Sequence, residues 1–232
     1  MKANEIQAEL EKYIDLQKRE FLPYFFKTGK GQYGEGDRFL GIVVPNIRLV
    51  AKKFRGAPFD EIAILLDSEY HECRMCALLM LVERFKKSND EERGQIYHFY
   101  LSKAKRVNNW DLVDLSAPYI VGEYLKCRSR EDLYKLASSS ILWEQRIAVV
   151  ATATLIRNND FIDIIKLSEQ LLHHPHDLMH KAIGWMLREM GKRDKDLLVQ
   201  FLEKYNTEMP RTMLRYSIEK LTDEERKYFM KR

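Results

Sequence analysis

The sequence predicts an all-α fold in which pairs of helices stack one after another as an α-solenoid. Apolar residues recur with helical spacing along almost the whole chain of 232 residues. Ten glycines and six prolines leave little material for tight turns, which disfavours a sandwich or barrel of strands. A hydrophobic share of 45% supplies a sizeable core, and we expect a single domain over residues 1–232.

The individual helices follow from this spacing, taken in chain order. Asn4 is the predicted N-cap of a first helix over 4–20, in which Ile6, Leu10 and Ile14 lie four residues apart. Further helices are predicted over 45–53, 58–67, 70–87, 91–104, 110–126, 130–138, 141–157, 160–172, 177–191, 194–205, 210–220 and 222–230. Their short polar connections predict antiparallel neighbours.

The segment from Lys27 to Gly41 interrupts the helical pattern. It holds five of the ten glycines, and it predicts an ordered loop or a short β-hairpin near residues 29–39. Gly29, Gly31 and Gly34 have the spacing of a GxGxxG motif. Since no strand and no βαβ pattern surrounds them, a dinucleotide site is not expected.

A basic or aromatic residue recurs about every 35 residues, in the second helix of successive pairs. These anchor residues are Arg74, Trp110, Arg146, Lys181 and Arg215. The period is that of HEAT or TPR hairpins, whose second helices line a concave surface. Because four of the five anchors are cationic, we predict a superhelix with a basic groove that binds a polyanion such as nucleic acid. For any single anchor, a solvated helix face is the alternative.

The remaining composition bears on location and cofactors. No apolar window has the length of a membrane span, and the charged N-terminal segment lacks the apolar core of a signal peptide. Three cysteines (Cys73, Cys76 and Cys127), an odd number, fit a reducing cytoplasmic location. Histidines 173, 174, 176 and 180 lie at a predicted turn without an HExxH motif, so we expect a surface loop and no metal site.

Residues 107–114, VNNWDLVD, form the densest group of chemically capable side chains. Trp110 and Asp114 are four residues apart and share one helix face, whereas Leu112 and Val113 turn toward the core. An indole beside a carboxylate is unusual on a surface that is otherwise basic. The alternative is that Trp110 fills the core and Asp114 pairs with Arg146. Such a pair is compatible with a chemical role, because it also holds the carboxylate ionised.

A second group lies in residues 181–188, KAIGWMLR. Lys181, Trp185 and Arg188 follow i, i+4, i+7 spacing and form one stripe. Gly184 leaves a notch beside the indole, where a ligand or another helix has room to approach. Interleaved aromatic and cationic side chains suit contacts with a sugar or base and a phosphate. The alternative is that Trp185 packs against a neighbouring helix.

Together, NWDLVD at 109–114, WEQR at 143–146 and KAIGWMLRE at 181–189 resemble the signature segments of the DNA alkylation repair family. These are the AlkD-like DNA glycosylases, built from HEAT-like repeats, and the resemblance runs in order over residues 20–220 or so. It implies an enzyme that removes positively charged N3- or N7-alkylated purines from duplex DNA. The enzyme is expected to act as a monomer and to need no metal or other cofactor.

The resemblance also assigns roles to residues. It implies that Asp114 is the catalytic carboxylate, that Trp110 and Trp185 pack on the deoxyribose, and that Arg146 lies near the lesion. A carboxylate suits this chemistry because cleavage develops oxocarbenium charge on the sugar. The expected DNA contacts are the cations Arg74, Lys181, Arg188 and Arg215, with Lys27, Lys30 and Arg38 from the glycine-rich segment.

Two features depart from the simplest relatives. Where the family carries a tyrosine on an early helix, the best alignment places Phe25, and Tyr24 fits only if the register shifts by one. Residues 29–38 form a longer segment that resembles a branch with an inserted hairpin. Some branches bind branched DNA with little glycosylase activity, so a non-catalytic binder of branched or structured DNA is the second hypothesis. A protein-binding solenoid is the third.

Overall fold

Helices make up most of the computed structural model, which describes residues 1–231. In chain order they are α1 (Ala3–Glu11), α2 (Leu16–Phe25), α3 (Val44–Phe54), α4 (Phe59–Leu66), α5 (His71–Phe85), α6 (Asp90–Ser102), α7 (Trp110–Ala117), α8 (Glu123–Leu125), α9 (Glu131–Ala137), α10 (Leu142–Arg157), α11 (Ile162–Gln170), α12 (Asp177–Gly191), α13 (Lys195–Tyr205), α14 (Arg211–Ser217) and α15 (Asp223–Met230). Among these residues, β structure is limited to one isolated bridge between Arg38 and Tyr70. The all-α prediction is therefore confirmed.

The predicted first helix over 4–20 is wrong, because the chain forms two helices there. The first begins after Lys2 rather than at Asn4, and it ends at Glu11. The second starts anew where the Asp15 side chain accepts a hydrogen bond from Lys18 N at 3.1 Å. Ile14 continues the four-residue spacing of Ile6 and Leu10 beyond the end of the first helix, so this spacing does not reveal the break.

The helix predicted over 110–126 is also interrupted. Pro118 follows the last residue of α7, and residues 118–122 form a π-helical turn before the short helix α8. Proline has no N–H to donate to the carbonyl four residues before it, so the regular ladder of hydrogen bonds stops at this point. The Pro118 carbonyl accepts a hydrogen bond from Thr154 Oγ1 at 2.7 Å.

The repeat of helix pairs is confirmed. The first helices of the pairs are α4, α6, α9, α11 and α13, and the second helices are α5, α7, α10, α12 and α14. Each anchor residue lies within the first five residues of its second helix. The recurring residues therefore mark the beginning of the second helix in five successive pairs.

The chain separates into two compact units, Met1–Ser116 and a second that begins at Ala117. In the first unit α5 packs against α3 and α4, around fully buried residues such as Ile62 and Leu78. In the second unit α12 packs against α10 and α14, around residues such as Ile183 and Met213. None of the helices in residues 1–231 combines the length and the apolarity that crossing a membrane requires.

The glycine-rich segment is an ordered loop, and the predicted β-hairpin near residues 29–39 is wrong. The carboxylate of Glu72, which is only 2% exposed, accepts hydrogen bonds from Leu40 N at 2.9 Å, Gly41 N at 2.8 Å and Ile42 N at 3.1 Å. Within the segment, the amides of Gln32, Glu35 and Asp37 each donate to the carbonyl three residues earlier, so they are not available for a strand ladder. Gly41 has φ +88°, and a Cβ at this position would collide with the backbone of Asp15.

We expect Glu72→Ala to lower the free energy of unfolding by about 3 kcal/mol, because three buried amides lose their charged acceptor. Glu72→Gln keeps one acceptor oxygen and is expected to lose less. Urea unfolding followed by circular dichroism measures both changes. Glu69→Ala is the matched control, since this neighbouring glutamate makes an exposed ion pair with Arg38. An equal loss in Glu69→Ala and Glu72→Ala would show that the buried carboxylate does not hold the loop.

Candidate active site

Helix α7 presents the two residues that the sequence singles out. Leu112 and Val113 are fully buried in the first unit, whereas Trp110 and Asp114 are half-buried. This confirms that the apolar pair faces the core and that the indole and the carboxylate lie on another side of the helix. The surface of α7 therefore carries an aromatic face and a carboxylate one helical turn apart.

Trp110 rests on aromatic residues from the end of α2. The Phe26 ring stacks on the indole with centroids 5.5 Å apart and an interplanar angle of 23°, and the Phe25 ring meets it edge-on at 6.1 Å. Phe26 stacks in turn on Phe39 of the glycine-rich loop at 5.0 Å. Phe26 and Phe39 are buried, while Phe25 remains 51% exposed. The indole is thus held from one side without being enclosed as a core residue.

A buried set of charged residues lies beside this aromatic layer, and we call it the His71 cluster: His71, Asp37, Asp111 and Arg74. His71 Nε2 is 2.8 Å from Asp111 Oδ2, and its Nδ1 is 3.2 Å from Asp37 Oδ2. Arg74 Nη2 donates to Asp37 Oδ1 at 2.6 Å. Asn109 Nδ2 also donates to Asp37, at 3.3 Å. The cluster therefore joins the loop to α5 and to the first turn of α7.

The pairing sets the charge states within the cluster. Burial opposes the charged form of His71, but the charge and hydrogen bond of Asp111, with the hydrogen bond of Asp37, raise its pKa to about 9. Burial works to raise the pKa of Asp37, yet the His71 hydrogen bond and the Arg74 charge hold it below its ordinary value. Near neutral pH the cluster therefore consists of two cations and two carboxylates.

The expectation that Arg74 lies on an exposed surface for DNA is wrong. Its side chain is 1% exposed, and Nη1 donates to the carbonyls of Ser68 at 2.9 Å and Glu69 at 3.2 Å. Its remaining strong bond goes to Asp37. A buried guanidinium needs such acceptors because an unpaired charge in the interior is costly. Arg74 is therefore a structural residue of the first unit.

Arg146 differs from its expected exposure in the same way. In the second unit it is 4% exposed, and Nη1 donates to the Leu178 carbonyl at 2.6 Å. Arg215 at the equivalent position of α14 is exposed, as predicted. Two of the four cationic anchors thus bind acceptors inside their own units.

Helix α12 carries the second predicted stripe. Trp185 is half-buried, and Gly184 beside it is buried under α14, because a Cβ there would collide with the Met213 carbonyl and Tyr216. The notch that the sequence predicts is thus occupied by a helix. Lys181 Nζ forms an ion pair with Asp177 at 2.7 Å, and Arg188 forms ion pairs with Glu189 and Glu219.

The cations of the glycine-rich loop are exposed. Lys27 and Lys30 both lie on the surface, and Lys27 has φ +52°. Arg38 is exposed as well and pairs with Glu69 at 2.7 Å. These three side chains have the solvent access that Arg74 lacks.

The predicted histidine-rich loop has a capping role. His176 Nδ1 accepts a hydrogen bond from Leu178 N at 3.1 Å at the start of α12, and His174 Nε2 is 2.8 Å from Gln145 Oε1. Over residues 1–231, no group of three or more His, Cys, Asp or Glu side chains is arranged to hold a metal ion.

Most of the His71 cluster and of the aromatic layer has no signature in the sequence. Asp111 belongs to a recognised motif, but its partner His71 lies 40 residues earlier, and Asp37 lies a further 34 residues before that. Phe26 and Phe39 are likewise brought together only by the loop. A buried histidine at the start of a helix leaves no periodic signal. The sequence marks its place only through Arg74, the anchor residue three positions later.

Stacked helix pairs, with an indole and a carboxylate presented by one helix, define a helical-repeat protein with a candidate catalytic surface. The model of the DNA alkylation repair enzyme family matches residues 6–221, and the chain belongs to this family. A solved structure described as a predicted DNA alkylation repair enzyme from Enterococcus faecalis is similar, with a TM-score of 0.69 and 15% identity. The match covers 90% of this chain and 97% of that chain, and at this identity it shows a shared fold. Comparison with curated proteins finds no match.

We expect Arg74→Met to lower the free energy of unfolding by about 3–5 kcal/mol, because the buried Asp37 carboxylate loses one of its two cationic partners. Arg215→Met, at the equivalent position of an exposed anchor, is the matched control and should leave the unfolding midpoint unchanged. Urea unfolding of both variants measures the difference. Equal unfolding free energies of the two variants would show that Arg74 does not stabilise the first unit.

Proposed function

We propose that this protein is a DNA glycosylase that hydrolyses the N-glycosidic bond of N3- or N7-alkylated purines in duplex DNA. The observation that carries the proposal is the pair on α7. A half-buried indole, backed by Phe25 and Phe26, and a half-buried carboxylate lie on one helix, at the residues to which the sequence resemblance assigns the sugar contact and the catalytic role. Membership of the DNA alkylation repair enzyme family supports a role in alkylation repair.

The chemistry requires little acid catalysis. An alkylated purine already carries positive charge, so the C1′–N bond breaks with its electron pair going to the base, which leaves neutral. The sugar becomes an oxocarbenium ion, which the Asp114 carboxylate and the Trp110 face stabilise. A water oxygen then bonds to C1′, and its proton passes to Asp114 or to solvent.

The other assignments rest on the resemblance. In the second unit, Trp185 is proposed to contact DNA, and Lys181, Arg188 and Arg215 to contact phosphates. Arg146 is 4% exposed and donates to the Leu178 carbonyl, so no DNA contact is proposed for it. Lys181 and Arg188 are paired with carboxylates in the second unit, so binding a phosphate would exchange one anionic partner for another. We propose that the protein binds duplex DNA as a monomer. No metal takes part in the proposed reaction.

We expect Asp114→Asn to lower the rate of N7-methylguanine release from alkylated duplex DNA by about 100-fold or more, since the oxocarbenium ion loses its counter-charge. The affinity for DNA should change little. Single-turnover base release and fluorescence anisotropy measure the two effects. Asp196→Asn on α13 is the control, because this carboxylate is exposed in the first turn of another helix. Release by Asp114→Asn at the wild-type rate would refute the catalytic role.

A second candidate function is binding of branched DNA without catalysis. The observation that favours it is the glycine-rich loop, which is anchored by Glu72 and Asp37 and holds Lys27 and Lys30 in solvent. An anchored loop with exposed cations suits insertion into a groove or junction, because little ordering entropy remains to be lost on binding.

The double variant Lys27→Gln/Lys30→Gln separates the two functions. If the loop reads a junction, we expect weaker binding to a three-way junction but unchanged binding to linear duplex. The slope of log binding constant against log salt concentration should become less steep by about 0.9 for each lost phosphate contact. Lys86→Gln/Lys87→Gln, an exposed pair just after α5, is the control. Binding that does not depend on salt would instead favour a protein partner.

A further inference from the structure

His71 is an enclosed ionisable side chain next to the first turn of α7. It is 1% exposed, and both ring nitrogens face carboxylates, Asp111 at 2.8 Å and Asp37 at 3.2 Å. Two aromatic rings, which also stack on each other, contact the imidazole as well. The Phe39 ring lies 4.8 Å away at 26°, and the Phe26 ring lies 4.9 Å away at 36°.

This environment selects the charged form of the ring. A neutral imidazole has one N–H, so one of its nitrogens would turn a lone pair toward a carboxylate. The imidazolium donates to both Asp37 and Asp111, and charge-assisted hydrogen bonds of this kind are the strong ones. The cation thus links the loop, through Asp37, to the first turn of α7, through Asp111.

The same ring has two routes to Trp110. Asp111 is the next residue in α7, and its other oxygen accepts a hydrogen bond from Leu112 N at 2.8 Å, so it is fixed to the helix start. Phe26 contacts both His71 and the Trp110 indole. A change in the charge of His71 therefore acts on the backbone that carries the indole and on the ring that supports it.

We propose that His71 is a positioning residue for the base-release reaction, whose imidazolium fixes the Trp110 indole by holding Asp111 and Phe26 in place. The inference rests on the proposed function, because the reaction gives the indole its task. His71 itself is enclosed by protein side chains and is assigned no contact with DNA.

The charges around His71 make the arrangement sensitive to protonation. The groups that face it are Asp111 from α7, Asp37 from the loop and Arg74 from its own helix, and Arg106 lies close enough to influence Arg74. With His71 protonated, the cluster of two cations and two carboxylates is balanced. Loss of its proton leaves a net negative charge next to Trp110, where a DNA backbone is expected to approach.

His71→Gln tests the positioning role, since glutamine has no charge and its single amide nitrogen cannot replace the two ring nitrogens that face Asp37 and Asp111. We expect the rate of base release at saturating enzyme to fall about 10- to 100-fold, while KM changes less than threefold. Cys76→Ala, a buried position further along α5 and outside the cluster, is the control for a destabilised helix. A rate within twofold of wild type would overturn the inference.

The pH profile provides a readout that simple destabilisation would not move. The pKa of His71 is raised to about 9, so the imidazolium and its contribution are present below this pH and are lost as pH rises through it. Asp111→Asn removes the carboxylate that raises the pKa most, so the fall in rate should move to lower pH. An unshifted profile, after subtraction of spontaneous release, would overturn the inference, even if His71→Gln failed to fold.

A measurement on the protein alone separates this inference from the proposed function. The chain has three tryptophans, so the indole N–H resonances of ¹⁵N-labelled protein give three reporters, with Trp110 assigned by Trp110→Phe. We expect Asp111→Asn to shift and broaden the Trp110 signal but not those of Trp143 and Trp185. An unchanged Trp110 signal would overturn the positioning role. If the wild type released no base, the glycosylase proposal would fail, and this signal would still decide whether His71 positions Trp110.

Discussion

Two buried carboxylates, Glu72 and Asp37, impose the constraint on which the first unit depends. An ionised carboxylate is costly to bury unless its oxygens are all matched with donors. Glu72 meets this requirement with three successive loop amides, and Asp37 with His71, Arg74 and the side chain of Asn109. Both carboxylates tie the loop to α5: Glu72 of the helix accepts from loop amides, and Asp37 of the loop binds side chains of the helix. A segment too rich in glycine to order itself acquires one conformation in this way.

The candidate active site follows from this anchoring. Because the loop is held, Phe39 can stack under Phe26, and Phe26 under Trp110, while Asp37 and His71 reach the start of α7. The half-buried indole therefore has a rigid aromatic support. Such support from outside the reacting group is what a site needs when catalysis depends on placement and charge stabilisation rather than on a strong acid.

The cationic anchors show how one repeat position serves different purposes. Arg215 is exposed, whereas Arg74 and Arg146 donate to backbone carbonyls and, for Arg74, to a buried carboxylate. A guanidinium suits the interior position because its planar fork satisfies several acceptors at once. The periodicity of the residue type is therefore real, but it does not by itself mean a continuous basic surface. Exposure has to be established anchor by anchor.

Local spacing in the sequence predicts most of the helices, their pairing at a period of about 35 residues, and the face of α7 that carries Trp110 and Asp114. These features depend on residues within a turn or two of one another, so local spacing encodes them. It did not reveal the restart at Asp15 or the pairings of the His71 cluster. Asp37, His71 and Asp111 lie 34 and 40 residues apart, and only tertiary packing brings them within hydrogen-bonding distance. Which cations are buried likewise depends on tertiary packing, because their acceptors come from other segments of the chain.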